Sequence, residues 1–278
     1  MRLLSTRDLS EALGVSESSL KRWVDSGRIA GSRTEGGHRR IALGDALQFI
    51  RESGAKVVRP ELLDLPEIAV ARERGRERLL DHLMEGDARG ARGWLAARYL
   101  GGESIAALAD GPIRDAMHAV GELWRHDESG VFVEHRATDT CLQALAELRS
   151  LQPVVAARAP VAIGGAPAGD PYLIASQLAA MVAGEVGMRA VNLGPDMPPS
   201  ALVRAAAQLH PRLVWISVTS SMAPARAAAL VRALESLPRG IAIVVGGQQA
   251  AGLQLPARVR RGTVMEDLAA VARAIRRS

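Results

Sequence analysis

The spacing of hydrophobic residues changes along the chain and divides it into three parts. In the first part, Leu9 and Leu13 lie four residues apart, and residues 16–26 repeat apolar positions at helical spacing. Gly14 and Gly27 follow these stretches, and glycine is common just beyond a helix. The pattern predicts two short helices joined by a tight turn, which is a helix-turn-helix.

The same part continues with a different pattern. Residues 28–41 alternate on either side of Gly36-Gly37, which is typical of a β-hairpin. A further helix is predicted over 43–52 from its apolar spacing. Glycine and proline then interrupt the pattern over 53–67, as they do in a linker.

In the second part, apolar residues recur at intervals of three and four, as in Leu79, Leu80 and Leu83. The predicted helices cover about 67–85, 87–100, 112–127 and 131–150, and a short segment at 103–110 precedes the third. Short loops favour antiparallel neighbours, so this part is predicted to be a helical bundle.

The third part alternates apolar strands with helices. Strands are predicted at 161–164, 190–193, 213–218 and 241–245, with a weak fifth near 258–260 or 263–265. The helices between and after them are predicted at 170–186, 199–209, 223–236 and 266–276. Such alternation predicts a parallel, doubly wound sheet, which binds ligands outside the carboxyl ends of its strands.

The three patterns together predict a multidomain fold. They predict an all-α winged helix-turn-helix head at 1–60, a linker at 61–67, a four-helix bundle at 68–152 and an α/β doubly wound, Rossmann-like domain at 153–278.

Charge adds a partner to this picture. Residues 1–60 hold 11 Lys/Arg and 7 Asp/Glu, so they carry +4 of the chain's net charge of +5. A basic head on a nearly neutral body favours a polyanion partner for the head. A chance bias of charge is the alternative.

Composition excludes several classes of protein. Cys141 is the only cysteine, which excludes a disulfide scaffold and fits a reducing cytosol. We expect a cytoplasmic protein, because the first residues contain no apolar signal region and no apolar run is long enough for a membrane span. We predict no enzyme, since the sequence has no His-Glu-x-x-His, Walker loop or nucleophile elbow.

The Gly-Gly-His-Arg-Arg run at 36–40, with the two helices before it, resembles the wing of the MerR family of transcriptional regulators. The resemblance covers about residues 1–60. It implies that the second helix enters the major groove of double-stranded DNA and that the wing holds flanking phosphates. The residues implied at the groove are Ser18, Ser19, Lys21 and Arg22, and those implied at the wing are Arg33, His38, Arg39 and Arg40. A solvated basic hairpin in an unrelated winged fold is the alternative.

A second set of motifs covers the rest of the chain. Trp124 is followed, after nine residues, by Glu134-His135, and the predicted sheet has Gly-Asp after its first strand and Gly-Gly after its fourth. With the basic head, these features resemble the CarH/LitR group of cobalamin-dependent light-sensing repressors. In that group the bundle caps the upper face of the corrinoid, and the doubly wound domain holds the lower face and the nucleotide tail. Members bind DNA as tetramers in the dark and come apart after light cleaves the cobalt–carbon bond.

The resemblance implies a set of cofactor-binding residues in both parts of the body. They are Trp124, His126, Glu134, His135, Asp170, Tyr172, Ser217, Thr219, Gly246 and Gly247. Read without the family, Trp124 is a core residue, Glu134-His135 is a first-turn acid beside a core imidazole, and Asp170 is a helix cap. His82, His118 and His210 are predicted to be surface or capping residues.

The sequence departs from this group at two metal-ligand positions. Where members carry Asp/Glu-x-His-x-x-Gly, with the histidine on cobalt, this chain has Tyr172 and Ala175. A neutral phenol, with a pKa of about 10, is a poor substitute for imidazole as a ligand. Directly after Trp124, where members carry a light-state histidine, this chain has Arg125, and His126 is one residue further on. We therefore predict no protein ligand to a metal.

Three interpretations of the body stay open. It binds cobalamin with its own base or water below the cobalt, it binds another tetrapyrrole or a different ligand, or it binds no cofactor and serves homo-oligomerisation or an antirepressor protein. The bulk of Ala175 argues against the first interpretation. In each case the chain is predicted to be a DNA-binding regulator, and a repressor by resemblance. A corrinoid carrier protein is the competing class, which would lack the wing and keep the lower histidine.

Overall fold

The computed structural model describes residues 2–66, 68, 78–124 and 129–277. The chain forms two compact units, and one short segment that lies within the sequence of unit 1 belongs to unit 2; it is called the exchanged segment below. Unit 1 holds residues 1–104 and 111–154, and unit 2 holds 105–110 and 155–278.

The head at the start of unit 1 contains both helices and strands. Its helices are α1 (Thr6–Leu13), α2 (Glu17–Asp25) and α3 (Leu43–Ser53), and its strands are β1 (Leu3–Ser5), β2 (Ser32–Arg33) and β3 (Arg39–Ala42). The strands form an antiparallel sheet in the order β1-β3-β2. The prediction of an all-α head was wrong, because β1 adds a third strand to the expected hairpin and pairs Leu4 with Ile41.

Side-chain caps fix the two helices of the helix-turn-helix. The Ser5 hydroxyl accepts from the Asp8 amide at 3.1 Å, and the Asp8 carboxylate accepts from the Ser5 amide at 2.9 Å. Ser16 caps α2 by accepting from the Ser19 amide at 3.2 Å. Gly14, at φ 66°, makes the left-handed turn between the helices. The two capped helices pack against each other, and each buries a leucine, Leu9 and Leu20.

The segment predicted as a linker is partly structured. Pro60–Leu63 forms a turn of 3-10 helix that packs on α1, and the amides of Val58 and Arg59 donate to the Ala12 carbonyl at 2.8 and 3.1 Å. The domain boundaries at 60 and 67 stay a prediction, but the segment before residue 66 is not an unstructured linker.

The helices of the second part are α4 (Leu79–Glu85), α5 (Ala88–Leu100), α6 (Ile105–Leu108), α7 (Arg114–Trp124) and α8 (Ser129–Ser150). In unit 1, α8 packs against α4, α5 and α7. A wide π turn at Ala109–Ile113, with Gly111 outside helical geometry, delays the third predicted helix, so its α-helical part begins at Arg114 rather than at Pro112. Most of the predicted helix at 67–85 lies outside the described residues.

Unit 2 confirms the predicted parallel sheet. Its strands are β4 (Val161–Gly165), β5 (Arg189–Asn192), β6 (Leu213–Ser217), β7 (Ala242–Gly246) and β8 (Val259–Arg261). Its later helices are α9 (Ile174–Glu185), α10 (Pro199–Leu209), α11 (Pro224–Ser236) and α12 (Met265–Arg277). The strand order is β5-β4-β6-β7-β8, with all neighbours parallel.

Alternation along the buried central strand β6 assigns its side chains to two faces. Val214 and Ile216 join a core that includes Leu202 of α10 and Leu230 of α11. Trp215 takes the opposite face, where its indole meets α9. Within the described residues, no helix is long and apolar enough to cross a membrane.

The exchanged segment is bound to unit 2 through carboxylates. The Asp110 carboxylate accepts from the first amides of α12, Met265 at 2.7 Å and Glu266 at 3.1 Å. The Ile105 amide donates to Glu185 of α9 at 2.9 Å. Asp110 therefore acts as an N-terminal cap supplied from a distant part of the chain.

We expect Asp110→Ala to cost about 1 kcal/mol of stability in unit 2, because two first-turn amides of α12 lose their acceptor. Amide hydrogen exchange should speed up at Met265 and Glu266. Asp115→Ala, at an exposed position on α7, is the control and should leave both rates unchanged. Equal exchange rates in Asp110→Ala and the parent would contradict the capping role.

Candidate functional site

The outer surface of α2 presents the polar residues that were predicted to read the groove. Ser18, Lys21 and Arg22 are exposed. Ser19 is partly buried, and its hydroxyl accepts from Arg22 at 3.3 Å. Lys21 pairs with Glu17, one turn earlier, at 3.0 Å. Lys21 and Arg22 are therefore the two cations that this helix presents to solvent.

An aspartate that the sequence reading missed joins the hairpin to α2. The Asp25 carboxylate accepts from Arg39 Nε at 2.9 Å and Nη2 at 2.6 Å, and from Arg33 Nη2 at 2.8 Å. A carboxylate in the last turn of a helix is disfavoured by the helix dipole, and that placement was the available signal of a cationic partner. Asp25 fixes two of the predicted wing arginines beside α2 and offsets part of their charge.

The turn of the hairpin is closed by Thr34. The Gly37 amide donates to the Thr34 carbonyl at 2.8 Å, and the Thr34 amide donates to the His38 carbonyl at 2.9 Å. Gly37 sits at φ 77°, a left-handed conformation that glycine adopts without strain. His38 is exposed beside this turn, and Arg40 is partly buried in β3.

In the helical part, the Glu134-His135 pair lies on α8. Glu134 accepts from the Thr138 hydroxyl at 3.1 Å, and its side chain is 24% exposed. His135 is 76% exposed, with Nε2 3.5 Å from Glu134, and so is not a core imidazole. Trp124 is the last residue of α7. Its side chain and the whole of His126 lie outside the described residues.

His82 was predicted to be a surface or capping residue, and that was wrong. Its side chain is fully buried, with Nδ1 3.0 Å from Asp87 Oδ2. The ring packs so closely on α5 that a Cβ at Gly90 would overlap it. His118 is exposed, and His210 ends α10 at φ 47°, as predicted for surface and capping residues.

In unit 2, Asp170 braces two loops at the carboxyl edge of the sheet. Its carboxylate, 1% exposed, accepts from the amides of Thr219 at 2.6 Å, Ser220 at 2.9 Å and Tyr172 at 3.2 Å. Asp170 therefore ties the loop after β4 to the loop after β6. It does not cap a helix, because α9 begins only at Ile174.

The other predicted cofactor residues of unit 2 lie at the same edge. Tyr172 is 51% exposed, Ser217 is buried and Thr219 is partly buried. The glycines Gly246 and Gly247 are required by packing of the chain on itself, because a Cβ would approach Gly262 at the first and overlap Val218 at the second. These glycines are therefore explained without a ligand.

A buried polar chain below this edge was not found from the sequence. Trp215 Nε1 donates to the Ser176 hydroxyl at 3.2 Å, and that hydroxyl donates to Asn192 Oδ1 at 2.8 Å. The Gly194 amide also donates to Asn192 Oδ1, at 3.1 Å. The sequence gives no sign of these hydrogen bonds, because they connect residues from three separate elements, β6, α9 and the end of β5.

A corrinoid ligated from below by histidine does not fit unit 2. Of the six histidines in the sequence, only His210 belongs to this unit. It ends α10, which precedes β6, so it lies at the amino end of that strand, opposite Tyr172. Across the described residues, no group of three or more His, Cys, Asp or Glu could hold a metal ion.

Two family models match parts of the chain. Residues 3–53 match a helix-turn-helix domain, and residues 76–149 match a B12 binding domain. Together the matches indicate a DNA-binding regulator with a cobalamin-binding type of module. No curated protein matches the chain.

Solved structures are similar to parts of the chain at low identity. The monomethylamine corrinoid protein of Methanosarcina barkeri is 18% identical with a TM-score of 0.54, over 71% of this chain and 96% of that one. The methanol:cobalamin methyltransferase complex MtaBC of the same organism is 16% identical with a TM-score of 0.37, over 75% and 83%. A cobalamin-binding protein of Desulfitobacterium hafniense is 19% identical with a TM-score of 0.36, over 84% and 98%. The first likeness supports the fold alone.

The Asp25 cluster makes a prediction about pH. Hydrogen bonds from Arg39 lower the pKa of Asp25 from 3.8 to about 2, so the carboxylate is ionised at neutral pH. Its contribution to stability is present above the unfolded pKa and is lost as the pH falls toward 2. In a carboxyl NMR titration, Arg39→Gln should raise this pKa toward 3.8, whereas Arg28→Gln should not. An unchanged Asp25 midpoint in Arg39→Gln would contradict the pairing.

The Asp170 brace makes a second prediction. Asp170→Asn puts an NH₂ group in place of one carboxylate oxygen, so at least one of the three loop amides loses its acceptor. We expect unit 2 to lose about 1–3 kcal/mol of unfolding free energy. In a background where Trp23, Trp94 and Trp124 are each replaced by Phe, the fluorescence of Trp215 in unit 2 can follow its urea unfolding. Ser221→Ala, at an exposed position, is the control, and a parental midpoint for Asp170→Asn would refute the brace.

Proposed function

We propose that this protein is a MerR-type transcriptional regulator that binds double-stranded DNA, with the B12-binding type of helical segment as its regulatory part. The observation that carries the proposal is the helix-turn-helix domain at 3–53. The excess of basic residues in the first sixty supports it, because basic residues attract the phosphate backbone. No catalytic role is proposed.

In this proposal α2 lies in the major groove and the β2–β3 hairpin acts as the wing over flanking phosphates. Lys21 and Arg22 are exposed on α2, and His38 is exposed beside the hairpin turn, so these side chains can reach DNA without rearrangement. Arg33 and Arg39 are held by Asp25, which orders the wing before DNA arrives. A preformed wing loses less side-chain entropy on binding.

The mode of regulation is proposed to be repression by a homo-oligomer. One helix-turn-helix covers a single half-site, so a pair of heads is needed to read a palindromic or repeated operator. The body would supply the contacts between copies or receive an antirepressor protein. A response to light would require a bound alkylcobalamin.

A corrinoid carrier protein is the second candidate. The fold shared with the monomethylamine corrinoid protein favours it. The helix-turn-helix domain has no role in carrying a methyl group, and Tyr172 stands where the carrier would need its lower histidine. The regulator is therefore the better-supported proposal.

The test measures the affinity of the full chain for an operator selected from random double-stranded DNA, over a range of salt. Arg39→Ala should weaken binding to every sequence and lower the salt slope by about one. The loss should be partly recovered in Arg39→Ala with Asp25→Asn, because the single change leaves the Asp25 carboxylate facing DNA without its main partner.

Arg204→Ala is the matched control, because it removes an exposed arginine from α10 in unit 2. Its affinity and salt slope should equal those of the parent. A parental slope in Arg39→Ala would remove this residue from the interface. Selection of no preferred DNA by the full chain at low salt would contradict the regulator proposal.

A further inference from the structure

We propose that the indole of Trp215 takes the place of the nucleotide base of a corrinoid, so that the interior of unit 2 is filled without a cofactor. By the resemblance described above, the doubly wound domain of a cobalamin protein accepts the nucleotide tail. Here the buried indole lies between the sheet and α9, and in this proposal that is the space into which such a tail would extend. The inference concerns unit 2 and does not depend on DNA binding.

The position of the indole is the first observation. Trp215 lies in the central strand and is 2% exposed, which makes it one of the largest fully buried side chains described. Its strand neighbours, Val214 and Ile216, point to the core of α10 and α11. The indole therefore fills the face covered by α9.

The fit around the indole is the second observation. Gly164, its partner on β4, must be glycine, because a Cβ there would overlap both the backbone carbonyl oxygen and the indole ring of Trp215. The indole N–H is satisfied by Ser176, whose own hydrogen goes to Asn192. A buried N–H rarely lacks an acceptor, and this one has an acceptor that is itself anchored. The site is built for a bicyclic aromatic group that belongs to the chain.

The edge above the indole is the third observation. The Asp170 carboxylate accepts from three loop amides, and the two from Thr219 and Ser220 tie together the loops between which a tail would pass in this proposal. Tyr172 turns outward and is half exposed. Ala175, one residue before Ser176, adds a methyl group at the start of α9. In this proposal the hydrogen bonds of Asp170 and the methyl group of Ala175 oppose entry of a tail toward the indole.

The experiment incubates the full chain with hydroxocobalamin, and in darkness with adenosylcobalamin, and then measures the visible spectrum after gel filtration. The parent and Tyr172→His should retain no corrinoid. The pair to compare is Tyr172→His/Ala175→Gly with and without Trp215→Gly, since only the indole differs between them. Removing the indole should lower the Kd for hydroxocobalamin at least tenfold, roughly 1.4 kcal/mol.

A second measurement serves if the triple variant does not fold. Trp215→Gly should melt at a lower temperature than the parent, and added indole or benzimidazole should raise its Tm again by refilling the space. Trp94→Gly, in unit 1, is the matched control and should show no such rescue. A failure of both bicyclic compounds to raise the Tm would mean that the site does not accept a nucleotide base.

Two results would overturn the proposal outright. One is retention of corrinoid by the parent chain, and the other is equal affinity in the two variants that differ only at Trp215. Operator affinity is measured on the same preparations with and without hydroxocobalamin. It should be unchanged in the parent, and loss of DNA binding itself would count against the regulator and not against the role of Trp215.

Discussion

The buried carboxylate of Asp170 is the constraint on which the carboxyl edge of unit 2 depends. A carboxylate without contact to water is stable only when its oxygens accept hydrogen bonds, and here the backbone of two neighbouring loops supplies them. The loops after β4 and β6 are therefore tied to each other through one side chain. That arrangement directs Tyr172 outward and leaves the indole of Trp215 sealed beneath the edge.

A carboxylate also orders part of the head, where Asp25 forms ion pairs with two arginines of the hairpin. In both places a carboxylate orders a segment that would otherwise carry unsatisfied or repelling groups. The difference is exposure, since the Asp25 cluster faces solvent, where salt screens its ion pairs, whereas the Asp170 carboxylate is buried. The strength of the ion pairs in the head therefore depends on the solvent, whereas the hydrogen bonds of Asp170 lie inside unit 2.

The periodicity of apolar residues was enough to predict the parallel sheet and the helix-turn-helix, because burial on one or two faces leaves a regular pattern in the sequence. It could not place Trp215, since a strand buried on both faces gives no sign of which helix each side chain meets. The pairing of Asp25 with Arg39 spans 14 residues and a turn, and the burial of His82 depends on α5. Such contacts are properties of packing, which local spacing does not contain.

The exchange of residues 105–110 has a consequence for how the chain is made. Asp110 caps a helix whose first residue is synthesised 155 residues later, so this segment leaves the ribosome long before its partner exists. Until α12 has been synthesised, the Asp110 carboxylate has no helix amides to accept from, and the sheet of unit 2 lacks its last helix. The helices on either side of the segment can assemble early, but unit 2 becomes complete only late in translation. Unit 2 consists of residues 105–110 and 155–278, and residues 111–154 of unit 1 lie between these two segments in the sequence. A single cut in the chain therefore cannot release an intact unit 2.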